Sequence, residues 1–255
     1  MLWNSTYRGE PTRATIDIPN VIYQTYHTRE LIPWKVDENF KKFAPKFQRH
    51  VYNDSECLTF IRKHFQEAVY DDYHLMEAAH RADMFRYAIL YIHGGVYIDI
   101  KTELLTPLVT VIPVESDRRD EEGRGITYTV LSSNDHSCYQ GFIASPPGNT
   151  IFLKLILDLV QTKKPFHDYL VSTRKFYKLI CTEAQKSELI GGMNIAGVDG
   201  GKFDYFLFVE KKRPVSECYD GADRHGGCYF IYREDSKEMK VRYADYPWRF
   251  PRIEK

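Results

Sequence analysis

The alternation of short apolar runs with amphipathic segments predicts strands and helices that follow one another along the chain. After a proline stop, Val21–Tyr26 has the composition of a buried first strand. Residues 34–44 are amphipathic and predict a helix, and Phe47–Tyr52 predict a second short strand. Asn53 then offers an N-cap for a helix that extends to about Phe65. This order is typical of a parallel sheet with crossover helices.

The most clearly patterned helix is predicted from about Leu75 to His93. Its residues recur at steps of three or four, which places them near one stripe of the helix surface. Gly94 and Gly95 predict its end, since glycine is the usual residue just past a helix. Val96–Ile100 follows at once and, being rich in β-branched and aromatic residues, predicts a strand.

The rest of the chain predicts more elements of both kinds around a charged loop at 115–125. Helices are predicted from Asn149 to about 163 and over about 167–185, and strands over 126–131, 138–144, 203–209, 228–232 and 239–243. Residues 1–18 form an irregular lead-in, and no repeat or low-complexity linker is visible. We therefore predict one α/β domain over residues 1–255, with a mostly parallel central sheet flanked by helices.

Composition and charge narrow the function classes. The chain has 255 residues, of which 43% are hydrophobic and 27% charged, so a sizeable core is expected and disorder is not. Lysine plus arginine equals aspartate plus glutamate at 35 each. The balance argues against a broad nucleic-acid footprint or a membrane-surface patch. An anionic ligand must therefore be held locally.

Cysteine usage and the lack of long apolar runs bear on the compartment. The five cysteines are scattered, and none has zinc-ligand spacing. A reduced compartment is the simpler interpretation, although Cys218 and Cys228 could pair across a loop in an oxidising one. No signal peptide is visible, and no apolar run approaches the roughly 20 residues that span a bilayer. We expect a soluble, cytoplasmic protein.

Three polar residues around the Gly94-Gly95 junction are candidates for chemistry. Asp83 and Arg86 are three apart, so they share a helix face. Spacing alone favours a surface ion pair, and the alternative is a fork of acceptor and donors for vicinal sugar hydroxyls. Asp99 ends a strand, where open α/β sheets place their ligands. A turn or helix-cap aspartate explains Asp99 equally well.

Taken together, the segment from Arg81 to Asp99 resembles the glycosyltransferase family with the DXD sugar-binding motif. In that family a helix with Ala-Asp-x-x-Arg-Tyr leads into Gly-Gly-x-Tyr-x-Asp-x-Asp, and this chain has Ala82 to Tyr87 and Gly94 to Asp99 in the corresponding order. Ile18–Tyr26 is similar to the family's first strand, with Tyr26 in place of a tryptophan, and Gly141–Asn149 is similar to a later strand-to-helix stretch. The resemblance covers about residues 18–160. The family includes initiating mannosyltransferases, capsular-sugar transferases and, more distantly, the glucosylating domains of clostridial toxins.

The resemblance implies a GT-A-type, Rossmann-like domain and a nucleotide site at the first strand. Tyr26 would stack on the nucleobase, and Gln24 and Thr25 would shape that pocket. Tyr97 would flank the diphosphate and ribose, and Trp248 would cover the leaving diphosphate.

The same resemblance implies roles in catalysis and in metal binding. Asp83 and Arg86 would bind hydroxyls of the donor sugar, and Asp99 would flank the diphosphate and ligate a divalent ion, Mn²⁺ or Mg²⁺. The chain departs from the family at the second motif aspartate, where Lys101 stands. Since strand alternation puts Asp99 and Lys101 on one side, we predict that Lys101 supplies part of the counter-charge and that metal dependence is weaker. The alternative is that Lys101 points away and Asp99 still holds the ion.

The leading hypothesis is therefore transfer of a sugar from a UDP- or GDP-sugar to a glycan or glycoconjugate acceptor, with retention of configuration as the resemblance implies. Acceptor recognition is expected in residues 165–255. A degenerate, non-catalytic nucleotide-sugar or glycan-binding protein is the alternative, and Lys101 is the residue that favours it. A metal-dependent hydrolase ranks last, because the nine histidines show no ligand-like clustering. The sequence does not indicate the oligomeric state.

Overall fold

The structure is a computed structural model that describes residues 7–9, 16–112, 124–132, 136–162, 168–194, 203–214, 227–233 and 239–243. The strands are β1 (Val21–Thr25), β2 (Gln48–Tyr52), β3 (Gly95–Ile98), β4 (Thr102–Leu104), β5 (Gly125–Leu131), β6 (Cys138–Ser145), β7 (Gly192–Asn194), β8 (Phe203–Pro214), β9 (Gly227–Tyr232) and β10 (Met239–Tyr243). The helices are α1 (Trp34–Phe43), α2 (Asp54–His64), α3 (Glu67–Leu75), α4 (Ala78–His93), α5 (Leu108–Val111), α6 (Thr150–Gln161) and α7 (Val171–Glu183), with a 3₁₀ turn at Arg29–Leu31.

All the described strands belong to one sheet, in the order β2-β1-β3-β6-β5-β8-β9-β10-β4, with β7 paired to β8. The pairs β1–β2, β1–β3 and β5–β8 are parallel. The other pairs are antiparallel. The predicted α/β class, a central sheet flanked by helices, is confirmed. The division into a single domain over the whole chain stays a prediction.

The element boundaries differ from the predicted ones at three informative places. The helix predicted from Leu75 begins at Ala78, because Met76 and Glu77 are extended and separate α4 from α3. The short strands β4 and β7, of three residues each, were not predicted. The third strand ends at Ile98, and the chain turns over the next residues, where the Thr102 amide donates to the Asp99 carbonyl at 2.9 Å.

The core lies on both faces of the sheet. On β1, Ile22 packs into one apolar cluster together with α1, and Tyr23 packs into the other together with α4 and α6. The second half of α4 is buried almost all round, from Met84 to Tyr91. A helix that is surrounded by protein carries its polar residues into the interior as well. Asp83 and Arg86, about one and a half and two turns from its start, are accordingly buried.

The Gly94-Gly95 junction explains why α4 and β3 present their functional residues at one place. Gly94 and Gly95 have φ values of 62° and 97°, which glycine adopts without strain and which reverse the chain directly from helix into strand. Arg86 lies eight residues before Gly94, about 12 Å along a helix. Asp99 lies four residues after Gly95, about 13 Å along a strand. The two side chains therefore arrive at the same level, at the carboxyl edge of β3.

Two findings bear on the expected compartment. Cys57, Cys138 and Cys181 are free and buried, whereas Cys228 is disulfide-bonded. Because disulfides persist in oxidising environments, this bond supports the alternative in which Cys228 is paired, and it does not support a reduced compartment. Cys218 lies outside the described residues. In the described part of the chain, no helix combines the length and the apolar character needed to cross a bilayer.

Candidate active site

A cavity of about 460 Å³ opens at the carboxyl edge of β3, within the size range of small-molecule sites. It has two walls. The first is formed by α4 and the turn after β3 and carries Ala79, Ala82, Asp83, Arg86, Asp99 and Lys101. The second is formed by β6, the start of α7, β8 and β9, and carries Tyr139, Gln140, Gly141, Tyr169, Thr173, Glu210 and Tyr229. The structure thus brings four of the predicted site residues, Asp83, Arg86, Asp99 and Lys101, to one cavity.

Arg86 is the centre of the first wall. Its Nη1 donates to Oδ1 of Asp83 at 2.5 Å, and its Nη2 donates to Oδ1 of Asp99 at 3.3 Å. Only 4% of Arg86 is exposed, so this is a buried bridge between two carboxylates. The surface ion pair that spacing favours is wrong, because α4 is an interior helix. The ion pair itself is present.

The ring of Tyr97 packs against the guanidinium of Arg86. The guanidinium carbon lies 4.6 Å from the centre of the Tyr97 ring, and the Tyr97 hydroxyl is 2.9 Å from Oγ1 of Thr25. Burial opposes the charged form of Arg86, but the surrounding Tyr97, Asp83 and Asp99 outweigh it and raise the pKa of Arg86 above its ordinary value. Tyr97 is fully buried and is not among the residues that line the cavity, and its contact with a diphosphate stays a prediction. It positions Arg86.

Asp99 is held by β6. Its amide donates to the Gly141 carbonyl at 2.9 Å. A Cβ on residue 141 would lie 2.1 Å from the Tyr139 hydroxyl and 2.7 Å from Oδ2 of Asp99, so a larger residue there would displace the Tyr139 ring or the Asp99 carboxylate. Burial and the nearby Asp99 charge raise the pKa of Tyr139 well above its ordinary value, which keeps this phenol protonated. The glycine allows a hydrogen-bond donor and a carboxylate to approach the cavity together.

The residues of the first strand lie outside this cavity. Gln24 is fully buried and accepts from Nε of Arg49 at 2.5 Å, so its predicted place in a base pocket is not observed. Thr25 reaches the site only through Tyr97. Tyr26 is half-buried with its ring 4.4 Å from that of His27. Since β1 and β3 are parallel, Tyr26 follows β1 at the same sheet edge as Asp99, and its stacking on a base stays a prediction.

The ligation of a divalent ion by Asp99 stays a prediction. Among these residues no group of three or more histidine, cysteine, aspartate or glutamate side chains is arranged to hold a metal. Oδ1 of Asp99 already accepts from Arg86, and Lys101 shares the cavity wall. The strand alternation invoked for Lys101 is wrong, because residues 99–102 form a turn, yet the turn still places both side chains on the cavity. Trp248 lies outside the described residues.

Sequence reasoning missed most of the second wall. Glu210 is 5% exposed at the end of an apolar strand face that also carries Phe206 and Phe208. A carboxylate that continues an alternating aromatic pattern is unusual, and this signal was present in the sequence. Tyr139 and Tyr169 carry no such signal, because only long-range packing brings them to the cavity.

Comparison with known proteins gives matches to glycosyltransferases. Residues 30–118 match the family described as "Glycosyltransferase sugar-binding region containing DXD motif". The chain is 29% identical over 168 residues to mannosyl phosphorylinositol ceramide synthase CSH1 of Saccharomyces cerevisiae, a match that covers 65% of this chain and 40% of that protein. It is 36% identical over 90 residues to the uncharacterized glycosyltransferase L373 of Acanthamoeba polyphaga mimivirus, which covers 32% and 35% respectively. The matches thus span less than half the length of these relatives.

Proposed function

We propose that this chain, whose residues 30–118 match the glycosyltransferase family with a DXD sugar-binding region, transfers a sugar from a nucleoside-diphosphate sugar to a hydroxyl-bearing acceptor. Its α/β fold is of the GT-A type. The observation that carries the proposal is the Arg86 bridge, which fixes the carboxylates of Asp83 and Asp99 on one wall of a cavity. Side-chain exposures of 12% and 21% leave both carboxylates partly accessible to a ligand.

The donor sugar is held by the oxygens that Arg86 orients. A carboxylate accepts hydrogen bonds only, and one whose position is fixed by a buried guanidinium selects hydroxyl donors at a defined place. Two N–H groups of Arg86 donate to Asp83 and Asp99 and hold these carboxylates in place. The arrangement therefore positions the sugar, and precise positioning is a large part of the rate enhancement of a group transfer.

The departing diphosphate needs positive charge, and Lys101 is the cation available for it. Lys101 lies on the cavity wall beside Asp99 and forms no ion pair within the described residues. A fixed ammonium at the leaving group stabilises the charge that develops as the glycosidic bond breaks. We propose that Lys101 takes this role, so that the protein depends less on a divalent ion than relatives with two motif aspartates.

The donor sugar, the stereochemistry of transfer and the acceptor class are inferred from the relatives' names and from the resemblance to the glycosyltransferase family. Because a relative is named a mannosyl phosphorylinositol ceramide synthase, a mannosyl donor is the first to test, as the GDP- or UDP-sugar. Retention of configuration and a glycan or glycoconjugate acceptor are part of the same proposal. Lys101 also favours a second candidate, a non-catalytic nucleotide-sugar binder. Hydrolysis or transfer by the purified protein separates the two.

The decisive experiment is a thermal-shift screen of nucleotide sugars with and without Mn²⁺, followed by an assay of donor hydrolysis and transfer with the best binder. A ligand that binds only the folded state raises the melting temperature by mass action. We expect one nucleotide sugar to stand out and to be hydrolysed or transferred. A protein that no nucleotide sugar stabilises would contradict the proposal.

Asp83→Asn is expected to reduce donor use while it preserves the shape of the site. Loss of a charged acceptor for a sugar hydroxyl should cost about 1.5–3 kcal/mol in kcat/KM. Asp71→Asn, an exposed aspartate on α3, is the matched control and should behave as wild type. Unchanged kcat/KM in Asp83→Asn would show that Asp83 serves Arg86 alone.

Tyr26→Ala is expected to weaken binding of the nucleotide whatever sugar is attached, because Tyr26 would stack on the base and not on the sugar. Stacking of a base on an aromatic ring is worth roughly 1–3 kcal/mol. The measurement is the affinity for the free nucleoside diphosphate by calorimetry, with Tyr26→Phe expected to retain it. Equal affinity in Tyr26→Ala and wild type would remove Tyr26 from the site.

A further inference from the structure

Tyr169 places an exposed aromatic ring at the rim of the cavity. It lies just before α7 and is 70% exposed, although its ring lines the cavity. The ring centre is 6.0 Å from that of His80, and Nδ1 of His80 is 3.7 Å from Oδ2 of Asp83. The His80 side chain therefore lies between the exposed Tyr169 ring and the carboxylate of Asp83, which is assigned to the donor sugar.

Glu210 contributes a buried carboxylate to the second wall. Its residue is 5% exposed, and the same strand face carries Phe206 and Phe208. Tyr139, on the same wall, lies near both carboxylates, since burial and then the charges of Asp99 and Glu210 raise the pKa of its hydroxyl. A ligand that crosses the cavity from Asp83 or Asp99 thus meets a second carboxylate.

An aromatic face and a carboxylate on one wall define the chemistry of an occupant. The C–H face of a sugar or cyclitol ring packs on an aromatic ring, and its hydroxyls donate to a carboxylate. A ring that carries phosphate or carboxylate would meet the like charge of Glu210 on the second wall, whereas Arg86 and Lys101 lie on the first wall. The second wall therefore suits a neutral, polyhydroxylated ring.

We propose that Tyr169 and Glu210 form the acceptor subsite, and that the acceptor presents a neutral sugar or cyclitol ring there. This inference rests on the proposed function, because it assigns the first wall to the donor. The ring packs on Tyr169 and donates a hydroxyl to Glu210. The acceptor is then held beside the donor sugar at Asp83, with no phosphate at the point of attachment.

Direct binding tests the subsite without any need for turnover. Saturation-transfer NMR with methyl α-mannopyranoside and myo-inositol as probes should show transfer from wild-type protein to at least one ring. The signal should fall at least about fivefold in Tyr169→Ala and in Glu210→Gln, and Tyr169→Phe should retain it. Trp34→Ala removes an aromatic ring that is 64% exposed elsewhere, and Glu188→Gln an exposed carboxylate; both controls should match wild type. Melting curves check that each variant is folded.

The KM values for donor and acceptor then show which of the two substrates the second wall binds. Tyr169→Ala should raise the acceptor KM about tenfold while the donor KM and donor hydrolysis without acceptor stay within about twofold of wild type. Ring signals that are equal in wild type and Tyr169→Ala, or stronger for mannose 6-phosphate than for the neutral ring, would overturn the inference. A change confined to donor KM would also overturn it but leave the proposed function intact. Absence of donor binding in wild type would refute the proposed function; ring binding at Tyr169 and Glu210 would then define a ring-binding site but not an acceptor subsite.

Discussion

Wild-type protein in excess chelator is expected to keep a measurable part of its donor hydrolysis or transfer, whereas Lys101→Asp should lose nearly all of its activity without added metal. The physical reason is the charge at the leaving diphosphate. In our proposal Lys101 supplies a fixed cation on the cavity wall; among the described residues, no group of three or more histidine, cysteine, aspartate or glutamate side chains is arranged to hold a metal. Removal of the cation should lower kcat by on the order of 100-fold, as for other preorganised groups that stabilise a developing anion.

The measurement is initial rate across a Mn²⁺ titration and in chelator for wild type, Lys101→Asp and Lys101→Ala. Lys101→Asp recreates a second motif carboxylate, so metal should restore its activity, but metal should restore Lys101→Ala much less. Lys63→Asp, an exposed lysine on α2, controls for the change in net charge. Complete loss of wild-type activity in chelator, with full recovery in Mn²⁺, would mean that Asp99 holds an essential ion after all.

Arg86→Leu is expected to damage both stability and activity. Removal of one partner from a buried ion pair leaves uncompensated charge in the interior and costs about 3–5 kcal/mol. Here two carboxylates, Asp83 and Asp99, lose the same partner. The donor site loses its geometry at the same time, so transfer should fall below detection even in the fraction that is folded.

Urea unfolding measures the stability part of this prediction, and activity per folded molecule measures the rest. Arg62→Leu, an exposed arginine on α2, is the matched control and should change the free energy of unfolding by no more than about 0.5 kcal/mol. Arg86→Lys should restore little activity, since an ammonium cannot bridge two carboxylates in the fork geometry of a guanidinium. Wild-type activity in Arg86→Lys would show that charge alone, without the bridge, suffices.

The first wall of the cavity could be predicted from the sequence because it is local. Helix α4, a two-glycine turn and strand β3 are consecutive, so ordinary helix and strand rises bring Arg86 level with Asp99 without any knowledge of the rest of the fold. The sequence could not show that Arg86 is buried, since burial depends on α6 and on the sheet packed around α4. For this reason the Asp83–Arg86 pair was predicted at the surface.

The second wall could not be predicted, because its residues are distant in sequence. Tyr139, Tyr169 and Glu210 meet only after β5 pairs with both β6 and β8 and α7 packs on the sheet. The inference about Lys101 failed for a different reason. Its position was inferred from strand alternation, but the strand ends at Ile98, and a turn, not the alternation, brings Lys101 to the cavity.

Because Gly141 packs closely against Tyr139 and Asp99, the residues at positions 139 and 141 can be used to classify related sequences. Any side chain at 141 would overlap the Tyr139 phenol and a carboxylate oxygen of Asp99, so these positions cannot vary independently. A relative with alanine or a larger residue at 141 must have lost the bulk at 139 or moved the aspartate. Pairs of residues at these two positions therefore separate sequences that have kept this catalytic wall from those that have kept only the fold.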